Sequence, residues 1–358
     1  MIQSGLEDLK VYWCGHSEDR KHPGDRRRFG WFVKKSSLVE VKKIEECDII
    51  YFSIVADLSL ISWHLQNRHS GRMAGKKFIF DFCDSLLSMS AISSASRGIL
   101  YSFIKYKFPI ISLKNTISNC LRLCDGVVVS SLEQQQHIKK INSNVHVIAD
   151  YFNEEFHCVE DRELGNEVNL LWEGLASGNR ILFKQCAQIA QLVSNKSQRP
   201  VKVRFVTDLD YYLISNKFFK VSTHKILTSI FSDFTVNFDL TRWTMNNLQR
   251  ALTKSHVAII PIGDDPVMRS KPENKMILFM TAGVPVIASN TPAYNRVSCL
   301  TKLDCTADNN EKFADLICGL LDEKLARTHV QKGVEFVSAT RSERVLLQNW
   351  YDLIGSMY

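Results

Sequence analysis

Three basic residues in the C-terminal half of the chain are suited to binding a phosphorylated ligand. They are Arg269, Lys271 and Lys275, and the two lysines are four residues apart, a spacing that puts both on one face of a helix. Pro272 suits the first turn of such a helix, where its missing N–H costs nothing. The backbone N–H groups of a helix start and fixed cations together can stabilise charge growing on a diphosphate. The alternative is that both lysines are ordinary solvated helix residues.

The residues around this cluster predict the elements that would position it. An apolar run at 257–261 is followed by a polar loop at 263–269, a helix stopped by Gly283, and a second apolar run at 284–288. This is the pattern of a buried strand, a loop, a helix and another buried strand. The predicted helix therefore starts at the carboxyl end of a strand, with its first N–H groups available to an anion.

Short β-rich apolar runs alternate with longer helical stretches along the whole chain, which is typical of α/β domains with a mostly parallel sheet. The predicted strands are 10–14, 48–54, 77–81, 126–130 and 145–148, then 168–172, 201–207, 235–238, 257–261 and 284–288. With 358 residues the chain is long enough for two domains. We predict two doubly wound Rossmann-like domains facing across a cleft, spanning 1–160 and 161–335, and a C-terminal helix within 336–358 that packs back toward the N-terminal domain.

Composition excludes several classes of protein. Hydrophobic residues make up 45% and charged residues 23%, as in folded globular proteins. No signal-peptide core and no apolar run of about 18 residues is evident, which predicts a cytoplasmic protein. The formal charge of +7 suits anionic partners such as sugar nucleotides or a lipid surface. Because acidic residues are distributed through the chain, nucleic acid is not an expected partner.

Ten cysteines are scattered without metal-ligand spacing. Several lie in apolar segments, as Cys83 does after Phe82. We therefore expect reduced, mostly buried cysteines and no metal.

The segment 257–292 resembles the donor-binding region of retaining glycosyltransferases of the GT-B fold, in particular the family 4 type. There a strand ending in proline, a loop, a helix and a Gly-x-Pro-Val-Ile-Ala-Ser strand follow one another, as they do in this sequence. A weaker likeness covers 77–295. The resemblance implies transfer of a sugar, with retention and without a cofactor, from a nucleoside diphosphate or monophosphate donor to a glycan or lipid-linked acceptor. It also implies an acceptor-binding N-terminal domain, a donor-binding C-terminal domain, and a place in polysaccharide or glycoconjugate biosynthesis.

The resemblance also marks residues for donor binding. In the first strand and loop of the C-terminal domain and around the donor helix these are Gly174, Ser177, Asn179, Arg180, Lys184, Arg269, Ser270, Lys271, Asn274 and Lys275. The family's glutamate pair, spaced eight apart, would fall on Ser270 and Leu278 and is missing; Glu273 could substitute for one member as a catalytic residue. Two other functions stay open: a GT-B isomerase acting on a sugar nucleotide, and a catalytically silent nucleotide-binding scaffold.

Two residues of the N-terminal half are candidates for catalysis. His16 follows the first predicted strand, where an inverting enzyme of this fold often holds its base, and its ordinary pKa suits proton abstraction. The alternative is a solvated histidine, which is the more usual state of a lone histidine in a polar loop. Asp84 follows the strand 77–81 and is either a catalytic carboxylate or the N-cap of a helix.

Basic and aromatic residues interleave between Arg97 and Arg122, which suits peripheral contact with the inner face of an anionic membrane. The alternative is a core helix with a solvated basic face. The run 26–28 of three arginines could bind an anionic acceptor, although such runs are usually exposed.

Overall fold

The computed structural model describes residues 8–17, 20–69, 71–83, 87, 90–159, 162, 164–214, 218–263 and 266–358. The chain divides into two compact units. The first comprises Met1–Tyr151, Ser270–Pro272 and Arg341–Tyr358, and the second comprises Phe152–Arg269 and Glu273–Thr340.

The first unit is a parallel sheet with helices on both faces. Its elements up to residue 151 are β1 (Lys10–Cys14), α1 (Pro23–Arg26), α2 (Phe29–Lys35), β2 (Val39–Glu40), β3 (Ile49–Ser53), α3 (Leu58–Gln66), β4 (Lys77–Asp81), α4 (Ala91–Ile104), α5 (Leu113–Leu123), β5 (Gly126–Val129), α6 (Leu132–Ile138) and β6 (Val145–Val147), with 3-10 turns at Ile44–Glu46 and Gly71–Met73. Six strands pair in the order β2-β1-β3-β4-β5-β6, and all the pairings are parallel.

The second unit also centres on a parallel sheet. Its elements are β7 (Val168–Glu173), α7 (Arg180–Ser197), β8 (Val201–Thr207), β9 (Asp210–Ile214), β10 (Phe218–Ser222), α8 (Thr223–Phe231), β11 (Asn237–Arg242), α9 (Met245–Thr253), β12 (Val257–Ile260), α10 (Pro266–Arg269), α11 (Asn274–Thr281), β13 (Val286–Ser289), α12 (Pro292–Thr301), β14 (Thr306–Ala307), α13 (Asn310–Gly319) and α14 (Glu323–Thr340). The strand order is β11-β8-β7-β12-β13-β14, and β9 and β10 form a separate antiparallel pair.

The last helix, α15 (Glu343–Gly355), belongs to the first unit. Its buried side chains Leu346, Trp350, Leu353 and Ile354 join the core on one face of the first sheet.

Side chains of β3 point alternately to the two faces of the first sheet, and both faces are covered by helices. In β3 every residue is buried, and successive side chains point to opposite faces. Ile50 and Phe52 enter the core beneath α3 and α5, whereas Ile49 and Tyr51 enter the core beneath α2 and α15. A strand buried on both sides is a continuous apolar run, which is why the sequence pattern predicts it.

The prediction of two doubly wound α/β domains is confirmed, and three of its details are wrong. Strand β11 spans Asn237–Arg242 rather than 235–238, because this half-buried edge strand lacks the continuous apolar run that marks a buried strand. The predicted loop 263–269 contains the short helix α10. The helix predicted to include Pro272 begins only at Asn274, with Glu273 as its N-cap residue.

Candidate active site

The second sheet has a topological switch point between β7 and β12. Strand order runs outward from β7 to β8 and β11 on one side and from β12 to β14 on the other. Ligands of open α/β sheets bind at the carboxyl ends of the strands beside such a point. Here β7 ends at Glu173, β12 ends at Ile260, and α11 follows β12 along the chain.

Lys275 lies in the first turn of α11, and its ammonium is held at the end of β7. Its Nζ donates to the carbonyl oxygen of Glu173 at 2.5 Å and lies 3.7 Å from the Oε2 atom of the same residue. The ammonium is also 5.4 Å from the ring centre of Trp172, within range of a cation–π contact. The cation predicted from the sequence is thus fixed beside the switch point.

Glu173 connects three elements of the second unit. Besides its contacts to Lys275 in α11, its Oε1 accepts a hydrogen bond of 2.9 Å from Nε1 of Trp243, which follows β11. Neither Glu173 nor Trp243 was predicted to have a role at the site. Their position in the sequence could have indicated a role, because Glu173 is the last residue of β7 and Trp243 directly follows β11.

Gly174 makes room for the ammonium. A Cβ atom at this position would lie 2.5 Å from Nζ of Lys275, too close for any real contact, and φ of Gly174 is +157°. A larger residue would displace the lysine. The structure therefore gives a steric reason for the glycine that the sequence singled out.

The other predicted residues after β7 lie at the start of α7. Asn179 occupies the N-cap position, with its Nδ2 donating to the carbonyl oxygen of Leu175 at 2.6 Å. Ser177, Arg180 and Lys184 are exposed. The structure thus places two cations in the first turns of a helix that directly follows β7.

Glu273 is buried at the start of α11, and its Oε2 lies 3.4 Å from Nη2 of Arg296. Burial raises the pKa of the Tyr294 hydroxyl, and the nearby carboxylates of Glu273 and Glu173 raise it further. Two carboxylates and Asn274, the first residue of α11, are therefore close to the switch point. The catalytic role of Glu273 stays a prediction.

Lys271 does not share a helical face with Lys275, so the prediction made from their four-residue spacing is wrong. The residue before a proline is disfavoured in helical geometry, and α11 starts after Pro272. Lys271 is exposed, and it belongs with Ser270 to the first unit. Donor binding by Ser270 and Lys271 stays a prediction.

Arg269, the last residue of α10, lines a cavity of about 350 Å³ in the second unit. Asn290 and Asp308, which directly follow β13 and β14, also line it. A larger cavity of about 1010 Å³ is lined by His256 and Gly283, which precede β12 and β13. It therefore lies at the amino ends of the strands, away from the switch point.

His16 lies in the first unit, where the strand order reverses between β1 and β3. Its backbone N–H donates to Oδ1 of Asp25 at 2.7 Å, and its ring stacks on His22 at 5.0 Å between centroids. Its buried Nε2 has no hydrogen-bond partner among the described residues. The histidine is packed rather than freely solvated, and its catalytic role stays a prediction. Asp84 lies outside the described residues.

The arginine run at 26–28 is not a simple exposed cluster. Arg28 is buried and forms a two-point ion pair with Asp81, with bonds of 2.9 and 2.7 Å, and a further contact of 3.1 Å with Asp150. The hydroxyl of Tyr51 donates to the same Asp81 carboxylate. The expectation of exposure is wrong for Arg28, because its partners come from distant parts of the chain.

The ten cysteines all lie in the described part of the chain, where none of them forms a disulfide and five are buried. Among the described residues, no group of three or more His, Cys, Asp or Glu side chains is arranged to hold a metal ion. No helix in the described part of the chain has the length and apolarity needed to cross a bilayer.

No protein-family model matches this sequence, and no curated protein sequence matches it. Solved structures do share the fold. A glycosyltransferase from Rickettsia africae aligns with a TM-score of 0.62 and 12% identity over 98% of this chain and 99% of its own. HepE from Anabaena, in complex with UDP and glucose, aligns with a TM-score of 0.59 and 11% identity over 97% of this chain and 100% of its own.

A TarM variant from S. aureus, in complex with fondaparinux, alpha-GlcNAc-glycerol and UDP, gives a TM-score of 0.54 and 13% identity over 85% of this chain. The present chain spans 55% of the length of that structure. These likenesses confirm the predicted GT-B fold. The resemblance to the family 4 type stays a prediction.

Proposed function

We propose that this protein is a glycosyltransferase that transfers a sugar from a nucleoside diphosphate donor to a glycan or lipid-linked acceptor. The observation that carries the proposal is the fixed ammonium of Lys275 beside Glu173 and Gly174, at the switch point of the second sheet. The fold shared with glycosyltransferases supports the same reaction class. UDP is the first nucleotide to test, because the HepE and TarM structures were both solved with it.

In this reaction the bond between the sugar's anomeric carbon and the donor phosphate breaks, and a bond to an acceptor hydroxyl forms. Negative charge grows on the leaving diphosphate. Lys275 and the first N–H groups of α11 would stabilise that charge, and the exposed cations Arg180 and Lys184 would contribute electrostatically from α7. The leaving phosphate can itself accept the acceptor proton, so retention does not require a protein base.

Glu273 is the candidate for the role left open by the missing glutamate pair. It is buried at the N-terminus of α11, where a carboxylate is favoured by the helix dipole, and it faces Arg296 at 3.4 Å. We propose that it helps to position the donor beside Lys275. Retention and a place in polysaccharide or glycoconjugate biosynthesis are also proposals, and they rest on the resemblance of the sequence.

A sugar-nucleotide isomerase is the second candidate. The carboxylates of Glu173, at the end of β7, and of Glu273, at the start of α11, favour it, because an isomerase needs acid and base groups at the donor site. It would need no acceptor, which gives a clean experimental distinction from a transferase.

The test is to incubate the protein with UDP-, GDP-, ADP- and CMP-sugars, with and without octyl glycosides as acceptor mimics, and to identify products by mass spectrometry. We expect one donor to yield free nucleotide and a glycosylated octyl glycoside. Lys275→Ala should lower that rate at least about 100-fold, because a fixed cation on the leaving group is lost. Lys225→Ala, at an exposed lysine of α8, is the matched control and should keep the wild-type rate.

Rearrangement of a sugar nucleotide without any acceptor would instead identify an isomerase. Nucleotide binding without turnover of any donor would favour a silent scaffold, and equal rates in the two lysine variants would contradict the placement of the site.

A further inference from the structure

The outer face of α4 carries apolar side chains where a surface helix is normally polar. Ile92, Ile99 and Phe103 recur at a spacing of seven and four residues and so lie on one stripe. They are 84%, 54% and 85% exposed. A helix at the surface of a globular protein usually turns such a stripe toward the core.

The inner face of α4 is built from small residues and is fixed by specific contacts. Ser94 and Gly98 are buried, and Oγ of Ser94 forms a hydrogen bond of 3.0 Å with Oγ of Ser112. Oγ of Ser102 accepts a hydrogen bond of 2.8 Å from the backbone N–H of Ile110. A Cβ atom at Gly98 would lie 3.1 Å from the carbonyl oxygen of Ile111, so the helix sits close against that segment. These contacts hold the apolar stripe outward.

Three further exposed apolar residues belong to the same region of the first unit. Leu100 and Ile104 of α4 are exposed, and Ile111, in the segment that packs under Gly98, is 86% exposed. We call these three residues together with Ile92, Ile99 and Phe103 the α4 apolar surface. The interpretation of 97–122 as a core helix with a basic face fits α5, where Leu113, Ile117 and Leu121 are buried, and is wrong for α4.

Exposed cations accompany the α4 apolar surface. Arg97, Lys105, Lys107 and Lys114 are all exposed, and the sequence contains no acidic residue from 90 to 124. The carboxylate of Asp57 approaches this region, but it accepts hydrogen bonds from the backbone N–H groups of Lys107, Ser59 and Leu60. Apolar side chains interspersed with several cations are the chemistry that binds an anionic bilayer.

We propose that the α4 apolar surface docks on a membrane containing anionic phospholipid, with Ile92, Ile99 and Phe103 inserted among the lipids and the cations at the headgroups. A second copy of the chain fits less well, because self-association would bring the cations of both copies together. The inference goes beyond the proposed function, and its test needs neither a donor nor an acceptor.

The experiment is flotation of the full chain with vesicles of phosphatidylcholine alone or with 40% phosphatidylglycerol. We expect binding to the anionic vesicles that weakens as salt rises, because the headgroup attraction is screened. The double variant Ile99→Ser/Phe103→Ser should weaken this binding at least about tenfold, since two inserted side chains are lost. Its control is Leu300→Ser/Leu325→Ser, which replaces two exposed leucines of the second unit and should bind as the wild type does.

A triple variant separates the contribution of charge from that of apolar insertion. Arg97→Gln/Lys107→Gln/Lys114→Gln should lose the salt-sensitive part of binding, whereas Lys225→Gln/Arg250→Gln/Lys324→Gln removes as many exposed charges elsewhere and should not. Circular dichroism melting checks that each variant is folded.

Failure of the wild type to bind anionic vesicles would overturn the proposal, and so would equal binding by the Ile99→Ser/Phe103→Ser variant and its control. Concentration-dependent dimerisation in sedimentation velocity, abolished by Ile99→Ser/Phe103→Ser without vesicle binding, would identify a second copy as the occupant instead.

Discussion

The ammonium of Lys275 is positioned by other groups of the protein. It is held by a carbonyl oxygen and a carboxylate of Glu173, which in turn is fixed by Trp243. A side chain ordered in advance loses less conformational entropy when it engages a phosphate. The proposed donor site thus depends on a small network that joins β7, α11 and the segment after β11.

The buried ion pair of Arg28 and Asp81 gives a prediction for stability. Asp81→Asn should lower the free energy of unfolding by about 3–5 kcal/mol, because Arg28 would be left as a buried charge with a weaker partner. Asp315→Asn is the control: Asp315 pairs with Lys196 at 2.5 Å, but the two side chains are 60% and 34% accessible to water. The control should lower the free energy of unfolding in urea far less, because water screens an accessible ion pair. Similar decreases in the free energy of unfolding in both variants would contradict a buried ion pair between Arg28 and Asp81.

The buried position of His329 in α14 predicts that the free energy of unfolding depends on pH. Burial lowers its pKa to about 4, Lys332 contributes in the same direction, and its Nε2 accepts a hydrogen bond of 3.5 Å from the backbone N–H of Val286. Between about pH 6.5 and pH 4, therefore, this histidine binds a proton in the unfolded chain, where its pKa is near 6.5, but stays neutral in the folded chain. The stability present above about pH 6.5 should fall as the pH drops toward 4.

Replacing this histidine by glutamine, which can still accept from Val286, tests that linkage. In His329→Gln the slope of unfolding free energy between pH 6.5 and 4 should fall by about 1.4 kcal/mol per pH unit, the value of one proton. Burial also lowers the pKa of His256 to about 4, so His256→Gln should act in the same direction. Urea unfolding at a series of pH values measures the slope; an unchanged slope in His329→Gln would contradict the assignment.

At the scale of elements, Gly283 ends α11 with a backbone that only glycine adopts easily. Its φ is +71°, and an added Cβ atom would lie 2.5 Å from Sγ of Cys158. Gly283→Ala should lower the free energy of unfolding by about 1–3 kcal/mol. Gly319→Ala, at the end of α13 where a Cβ atom would meet open space, should be neutral or slightly stabilising. Equal effects of both variants in thermal unfolding would contradict this account of the turn.

The same scale shows what the sequence could predict. Strands buried on both faces, such as β3 and β7, form apolar runs that local patterns detect. The β9–β10 pair was not predicted, because an antiparallel hairpin lying outside the main sheet does not share that continuous apolar signal. The start of α11 was misplaced because Pro272 suits either a first helical turn or the residue before an N-cap, and only the structure distinguishes them.

At the scale of residues in the site, local motifs predicted Lys275 and Gly174 but not the partners that fix them. Glu173 and Lys275 are 102 positions apart, and Arg28 and Asp81 are 53 apart. Such pairs depend on the register of parallel strands, which no single segment encodes. For that reason the arginine run was expected to be exposed.

For the whole molecule, the last helix completes the first unit. Trp350 of α15 is fully buried, stacks on Phe32 at 5.3 Å and meets Phe29 edge-on at 5.4 Å. Trp350→Ala should destabilise the first unit by about 3–5 kcal/mol, because a large cavity is left in its core. Trp63→Ala, at a half-exposed tryptophan of the same unit, should cost much less in urea unfolding. Equal costs would mean that α15 is not needed for this core.

The measurement that tests the central claim most directly is calorimetric titration of UDP into the wild type, Lys275→Ala and the control Lys225→Ala. If the diphosphate binds beside Glu173 and the start of α11, Lys275→Ala should weaken binding at least about tenfold, or about 1.4 kcal/mol. Lys225→Ala should bind as the wild type does. Wild-type binding of UDP that is unchanged in Lys275→Ala would contradict the proposed donor site.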